Sequence, residues 1–262
     1  MNCLRCKQEV IGDEHKYGLH PLCFSIWFKV GANEEFVSLT LRNSVSNDPE
    51  NKNNRTLENT SFYHGKFKKY SADLATDNYI IKMREEKEAP ELPEVEYVCN
   101  QIADYVGLPV PEYYYIDFYG QKVFVTKVFI KKNSGSVNLE HIYKFRPDDK
   151  HNCESLADVI KKTTNRPYDV EVFFNTILFD AFIGNHDRHG RNLAFLVTPS
   201  GIFEFRINKF FSSAGFASTR HDCLCGFFAK TLHSRRVWQQ LTLKLLIFCF
   251  YSPDLRNPWC LF

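Results

Sequence analysis

The stretch FDAFIGNHDRHGRNLAF, residues 179–195, constrains this chain more than any other. The residues before it, 169–183, read as a strongly apolar helix, with Val172, Phe173, Ile177, Leu178, Ala181 and Phe182 as inward candidates. The residues after it, 193–197 and 202–205, read as a hairpin around Thr198-Pro199-Ser200-Gly201. A helix and a strand therefore pin both ends of a short polar loop. Within that loop Asp187 stands five residues before Asn192. In such a loop an Asp can accept a hydroxyl proton and an Asn can hold a divalent cation, with Arg188 and Arg191 beside them to offset phosphate charge. An Asp-x4-Asn pair alone also occurs as a plain polar helix exit, so the elements upstream matter.

Upstream, residues 61–84 read as a hairpin: SFYHGKFKKYSA, a turn at ATDN, then a strand over 79–83. ELPEVEYVCNQIADYVG shows helical spacing at Val95, Val98, Ile102 and Val106, with Gly107 as a stop and Pro109 beyond. Strands follow at 112–118 and 122–130, joined at Tyr119-Gly120, and residues 152–162 form a short helix candidate. The predicted class is α+β, with a small antiparallel sheet carrying one helix. Lys82 closes a strand and Glu96 lies on the next helix. A strand lysine held by a helix glutamate orients nucleotide phosphates in kinase-type folds. Each residue alone reads equally well as a solvated surface charge.

The N-terminus carries a second pattern, Cys3-x-x-Cys6 followed by His20-x-x-Cys23. Three thiolates and one imidazole suit tetrahedral zinc, and the second pair opens an apolar helix over residues 22–30. So short a unit has little core of its own, so a metal would supply folding free energy. The alternatives are unconnected cysteines with a surface His, or a redox Cys-x-x-Cys, which here has no preceding strand. The opening MNCLRCKQEV lacks an apolar leader, which points to the cytosol and argues against a disulfide framework for the nine Cys. The longest apolar run, Leu245 to Tyr251, is far short of the about 20 residues a membrane helix needs.

Taken in order, these segments resemble the HipA-like kinases, bacterial toxin kinases with a divergent protein-kinase fold. The resemblance rests on NTSFYHGKFKKYSA, YIIKM, ELPEVEYVCNQIADYVGLPVP, VFVTKVFI and FDAFIGNHDRHGRNLAF, and on the N-terminal Cys/His knuckle found in small family members. It implies a two-lobed, protein-kinase-like fold and ATP- and magnesium-dependent phosphorylation of Ser/Thr on a protein substrate. It further implies Asp187 as catalytic base, Asn192 as magnesium ligand, Lys82 as ATP-phosphate contact with Glu96 as its partner, and Gly65 over the nucleotide. Zinc would sit on Cys3, Cys6, His20 and Cys23. A DNA-binding antitoxin is the implied partner, with no direct nucleic-acid contact by this chain, and Ser61 is the nearest autophosphorylation candidate. The expected organisation is a knuckle at 1–30, a β-rich N-lobe at 31–130, a helical C-lobe at 131–206 and an atypical tail at 207–262.

The tail departs from the pattern. The family places a second magnesium-binding Asp soon after the hairpin, yet no carboxylate occurs between Glu204 and Asp222. Residues 207–262 carry seven Lys/Arg against two Asp/Glu, leaving 26 basic and 29 acidic residues of the totals of 33 and 31 for the rest. The tail's basic residues are spread out, with no stripe that would mark a nucleic-acid site. Residues 235–250 form a single helix candidate where a family C-lobe needs several. A change of reading frame near Arg206, leaving an incomplete C-lobe, accounts for this pattern; a divergent C-terminus is the alternative. The competing functional reading is a non-catalytic pseudokinase or interaction module with a structural zinc site.

Overall fold

The computed structural model describes residues 1–11, 15–42, 69–84, 90–130, 137–145, 152–185, 188, 192–201 and 203–207. Gly65, Ser61, Asp187, Arg191 and the tail beyond Ile207 lie outside these residues. The described chain is α+β and divides into two compact units. One comprises residues 1–98, 111–140 and 196–203; the other comprises 99–110, 141–195 and 204–262.

Period-two alternation builds the sheet of the first unit. Strands β1 (Val37–Arg42), β2 (Lys69–Leu74), β3 (Asp77–Lys82), β4 (Tyr113–Phe118) and β5 (Gln121–Lys127) lie in the order β1-β2-β3-β5-β4, all pairs antiparallel. Tyr119 and Gly120 both take positive φ, 50° and 78°, which matches the strand twist in a two-residue turn and fixes the β4–β5 register. Of the hairpin expected over 61–84, residues 69–84 are described and form β2 and β3, and the strands expected over 112–118 and 122–130 are present as β4 and β5. β1 was not anticipated, although VSLTLR does alternate.

Alternation gives the sheet two faces. Ala72, Leu74, Tyr79, Ile81, Tyr114, Ile116, Phe118, Val123 and Val125 turn to one side. There they meet Cys3, Val10, Leu19, Cys23, Phe24, Phe28 and Phe36, many of them from the N-terminal segment and helix α1 (Pro21–Phe28). Phe28 stacks on Tyr114 at 4.1 Å and Tyr17 on Phe118 at 5.6 Å. The N-terminal segment also covers the free edge of β4, where the Asp117 N–H donates to the Tyr17 carbonyl at 2.9 Å. Gly18 makes this approach possible. Its φ is +75°, and a Cβ there would lie 2.9 Å from Leu4 Cδ1 and 3.0 Å from Asp117 Cβ.

Helix α2 (Leu92–Tyr105) ends in a Schellman turn at Gly107, with Leu108 N–H donating to Ala103 O and Gly107 N–H to Asp104 O, both at 2.9 Å. Its buried stripe matches the expected one only at Val106. Val95, Val98 and Ile102 are only half-buried. The buried positions include Leu92, Glu96, Cys99, Asn100, Ala103 and Val106, a stripe displaced by one residue from the expected one at 96, 99 and 103 so that it passes through Glu96.

In the second unit, helix α3 (Cys153–Thr164) starts on Asn152, whose Oδ1 accepts the Ser155 N–H at 2.8 Å. Helix α4 (Pro167–Phe182) opens on a proline at N1 and packs against α3. Short strands β6 (Asn138–His141), β7 (Leu193–Val197) and β8 (Phe203–Ile207) form a sheet in that order. Phe173 of α4 meets Phe205 edge-on at 6.3 Å, and Phe205 meets Phe195 at 6.4 Å. Val172, Phe173 and Ile177 face inward as expected, whereas Leu178 is half-buried and Ala181 and Phe182 are exposed. Near the end of α4 the inward place belongs to Asp180, which is fully buried. No helix among the described residues is long and apolar enough to cross a membrane.

Candidate functional site

The face of the first sheet opposite the aromatic core carries one cross-strand row. Lys69 pairs with Lys82, Lys82 with Phe124, and Phe124 with Tyr115. Directly paired residues of an antiparallel ladder project to the same side, so all four share that face. Both lysines are buried, Lys69 at 3% and Lys82 at 8% exposure. Lys82 Nζ forms an ion pair with Glu96 Oε2 and lies 5.3 Å from the centre of the Phe124 ring. The structure thus brings together Lys82 and Glu96, the strand lysine and helix glutamate singled out in the sequence. Sequence reasoning missed Lys69, which the pattern KYSADL…NYIIK places on the same rung once the two-residue turn is known.

A buried carboxylate on an otherwise apolar helix stripe is tolerated because the lysine neutralises it. A second set of contacts holds α2 to the same sheet face. Glu94 accepts the Tyr115 hydroxyl at 2.6 Å and pairs with Arg84, while Tyr97 stacks on Tyr115 at 5.2 Å and meets Tyr113 edge-on at 5.7 Å. Burial, reinforced by the neighbouring Glu94, pushes the Tyr115 phenol well above its ordinary value, so it stays a hydrogen-bond donor.

In the second unit, the loop after α4 is tied back to the helix that precedes it. Gly184, at φ +69°, turns the chain, and the Asn185 N–H donates to the Asp180 carbonyl at 2.8 Å. Asn185 Nδ2 donates to Asp180 Oδ1 at 2.7 Å. Arg188 donates through Nε to Oδ2 at 2.6 Å and through Nη2 to Oδ1 at 2.8 Å. This corrects one expectation: Arg188 engages Asp180 instead of standing ready for phosphate. Asp180 went unnoticed in the sequence, although a lone Asp in the apolar run FFNTILFDAFI was a usable signal. Asn192 is half-buried immediately before β7. Asp187 and Gly65 belong to the segments outside the described residues.

The structure also brings the four N-terminal donors together. The Cys3, Cys6 and Cys23 sulfurs and one His20 nitrogen all lie within 4.8 Å of one another. His20 Nδ1 is 3.4 Å from Cys6 Sγ and 3.8 Å from Cys23 Sγ. Zinc–ligand bonds of about 2.0–2.3 Å at tetrahedral angles require sulfur–nitrogen edges of about 3.6 Å, so the donor set fits that ion. The other imidazole nitrogen, Nε2, stands 3.0 Å from the Glu9 carbonyl. Donation there fixes the tautomer that leaves the Nδ1 lone pair free to ligate. Burial opposes ionisation of Cys3, but backbone N–H groups of Cys6, His20 and Arg5 outweigh it and bring the thiol down to about 6. Burial and the neighbouring Cys6 push Cys23 up. No other group of three or more potential metal ligands occurs among the described residues.

The profile of the HipA-like C-terminal domain matches residues 55–206, more than half of the chain. Among solved structures, a proinflammatory kinase of Helicobacter pylori, CtkA, superposes with a TM-score of 0.46 at 20% identity, covering 56% of this chain and 54% of that one. HipA of the Shewanella oneidensis MR-1 toxin–antitoxin system, solved with HipB and its operator DNA, superposes with a TM-score of 0.39 at 15% identity, covering 68% and 54%. The matched region thus spans about half the length of each solved chain. No curated protein matches the chain.

Proposed function

The chain belongs to the HipA-like C-terminal domain family, and on that premise we propose that it is an ATP- and magnesium-dependent serine/threonine protein kinase of the HipA type. The observation that carries this reading is the buried Lys82–Glu96 ion pair, linking the end of a strand to the helix that follows it. An ammonium held at a fixed point is the donor that nucleotide phosphates require. Lys69, on the same rung, adds a second positive charge to that face.

In this reading Gly65 lies over the nucleotide, Lys82 contacts its phosphates and Glu96 orients Lys82. Asn192 would hold the magnesium ion, which supplies charge neutralisation at the phosphates. A serine or threonine hydroxyl of the protein substrate attacks the γ-phosphorus. Its oxygen–phosphorus bond forms as the bond to the ADP leaving group breaks, and Asp187 takes the hydroxyl proton. Cys3, Cys6, His20 and Cys23 would hold a structural zinc ion. The family resemblance supplies the setting: a cytosolic toxin–antitoxin module with a DNA-binding antitoxin as partner.

A second reading is favoured by one sequence fact. No Asp or Glu stands between Glu204 and Asp222, where a second magnesium carboxylate is expected. A chain lacking that ligand can retain nucleotide binding and lose transfer, as a pseudokinase does. Thermal unfolding with and without ATP and magnesium, combined with radiolabelled phosphate transfer, separates the two. The kinase reading expects a nucleotide-dependent rise in melting temperature, and label that disappears in Asp187→Ala. A rise without label in the wild type selects the pseudokinase; neither rise nor label removes both.

A further inference from the structure

Helix α2 meets the lysine-bearing face of the first sheet through two acids, and both land on one cross-strand row. Lys82, Phe124 and Tyr115 stand in register on β3, β5 and β4. Neighbouring strands lie about 4.8 Å apart, so the two ends of that row are separated by roughly 10 Å. Glu96 takes the Lys82 end, in a pair whose side chains are 4% and 10% exposed. Glu94 takes the other end. Its Oε1 accepts the Tyr115 hydroxyl at 2.6 Å and pairs with Arg84, which follows β3. The Tyr115 ring is held in turn by Tyr97, stacked at 5.2 Å. Side chains two positions apart leave a helix about 200° apart, so the two acids hold α2 from different sides. A tie on one side resists translation of a helix; ties on two sides also resist its rotation.

That resistance matters because the apolar residues of α2 favour another rotation. Val95 and Val98 are only half-buried, while the inward place goes to Glu96. A roll by one position, about 100°, would turn the valines inward and carry Glu96 off Lys82. We propose that Glu94 is the positioning residue of α2: tied to Tyr115 and Arg84, it holds the helix in the roll that keeps Glu96 on Lys82. This rests on the reading of Lys82 as the phosphate contact. Without the anchor, the valines compete for the inward place. If Glu96 then faces Lys82 in about a tenth of the molecules, the apparent affinity for a ligand that needs the paired lysine falls about tenfold.

The test uses the full chain with Glu94→Ala, which removes both ties, and Tyr115→Phe, which keeps the ring on Tyr97 and removes only the hydroxyl. Gly18→Ala is the control, since it strains the same unit at Leu4 and Asp117 and leaves the Glu94 contacts alone. Two quantities are read under conditions where circular dichroism shows each variant folded. One is the dissociation constant for ATP with magnesium, by calorimetry. The other is the rate at which acetic anhydride labels Lys82, by peptide mass spectrometry, relative to Lys162, whose side chain is 74% exposed. We expect ATP to bind about tenfold more weakly in Glu94→Ala and about three- to tenfold more weakly in Tyr115→Phe, with Lys82 labelled faster by similar factors. Gly18→Ala should stay within about twofold of wild type in both. Unchanged Lys82 labelling in Glu94→Ala, or a control that moves both readouts as far as Glu94→Ala does, overturns the proposal. Faster labelling with unchanged ATP affinity supports the anchor and refutes the reading of Lys82 as the phosphate contact. If the wild type binds no ATP, that reading fails by itself, and Lys82 labelling still supports or overturns the anchor. If Glu94→Ala does not fold, Tyr115→Phe supplies both readouts, and the same results decide.

Discussion

Replacing Glu96 by Ala would leave the Lys82 ammonium buried without its carboxylate. The two side chains are 4% and 10% exposed, so water does little to compensate. Breaking a buried pair from one side costs about 3–5 kcal/mol. Lys69, opposite Lys82 on the ladder, adds a like-charge neighbour worth roughly 0.2–1 kcal/mol more. For a chain of this size each kcal/mol corresponds to about 2–4 °C in melting temperature, so Glu96→Ala should lower it by roughly 6–24 °C. Lys82→Met should cost about as much, because it strands the carboxylate instead. The double variant Lys82→Met/Glu96→Leu removes both charges and keeps the volume. It should return to within about 1 kcal/mol of wild type, or exceed it. Urea unfolding followed by tryptophan fluorescence in a Trp238→Phe/Trp259→Phe background reports on this unit, since Trp27 then is the sole fluorophore of its kind and sits edge-on to Tyr114 at 5.5 Å. Single variants costing under about 1 kcal/mol, or a double variant whose cost is the sum of the singles, would refute the reasoning.

Two further outcomes follow from the N-terminal segment. Purified chain should carry one equivalent of zinc by elemental analysis, Cys3→Ser/Cys6→Ser should carry none, and a strong chelator should lower the wild-type melting temperature but not that of the variant. Gly18→Ala forces a side chain into positive φ and against Leu4 and Asp117, so it should destabilise the chain by at least about 1 kcal/mol in the same urea assay.

Much of this fold was legible because its signals are local. Alternation in KYSADL and NYIIK, the Tyr119-Gly120 turn and the Gly107 stop depend on neighbours in sequence, and the structure follows them. What escaped is decided by pairing at a distance. The face that α2 buries could not be read from its valines, because Glu96 displaces them once Lys82 stands opposite. Asp180 displaced Ala181 and Phe182 in the same way, through a partner eight residues further along the chain. Lys69 became visible only through strand register. The Cys/His site was the most legible chemistry, since ligand type and spacing together limit the geometry. Asp187 and Gly65 are assignments made from the family resemblance alone.

The two-faced strand β3 has a consequence of its own. Tyr79 and Ile81 face the aromatic core under the Cys/His segment, while Lys82, at the strand's end, points to the opposite side. Six residues thus belong to both faces of the sheet. A ligand that stiffens β3 from the lysine side is therefore expected to slow the opening of the cysteine side. The rate at which a thiol reagent reaches Cys3 and Cys23 then becomes a gauge of occupancy on the far face of the sheet, readable without any assay of phosphate transfer.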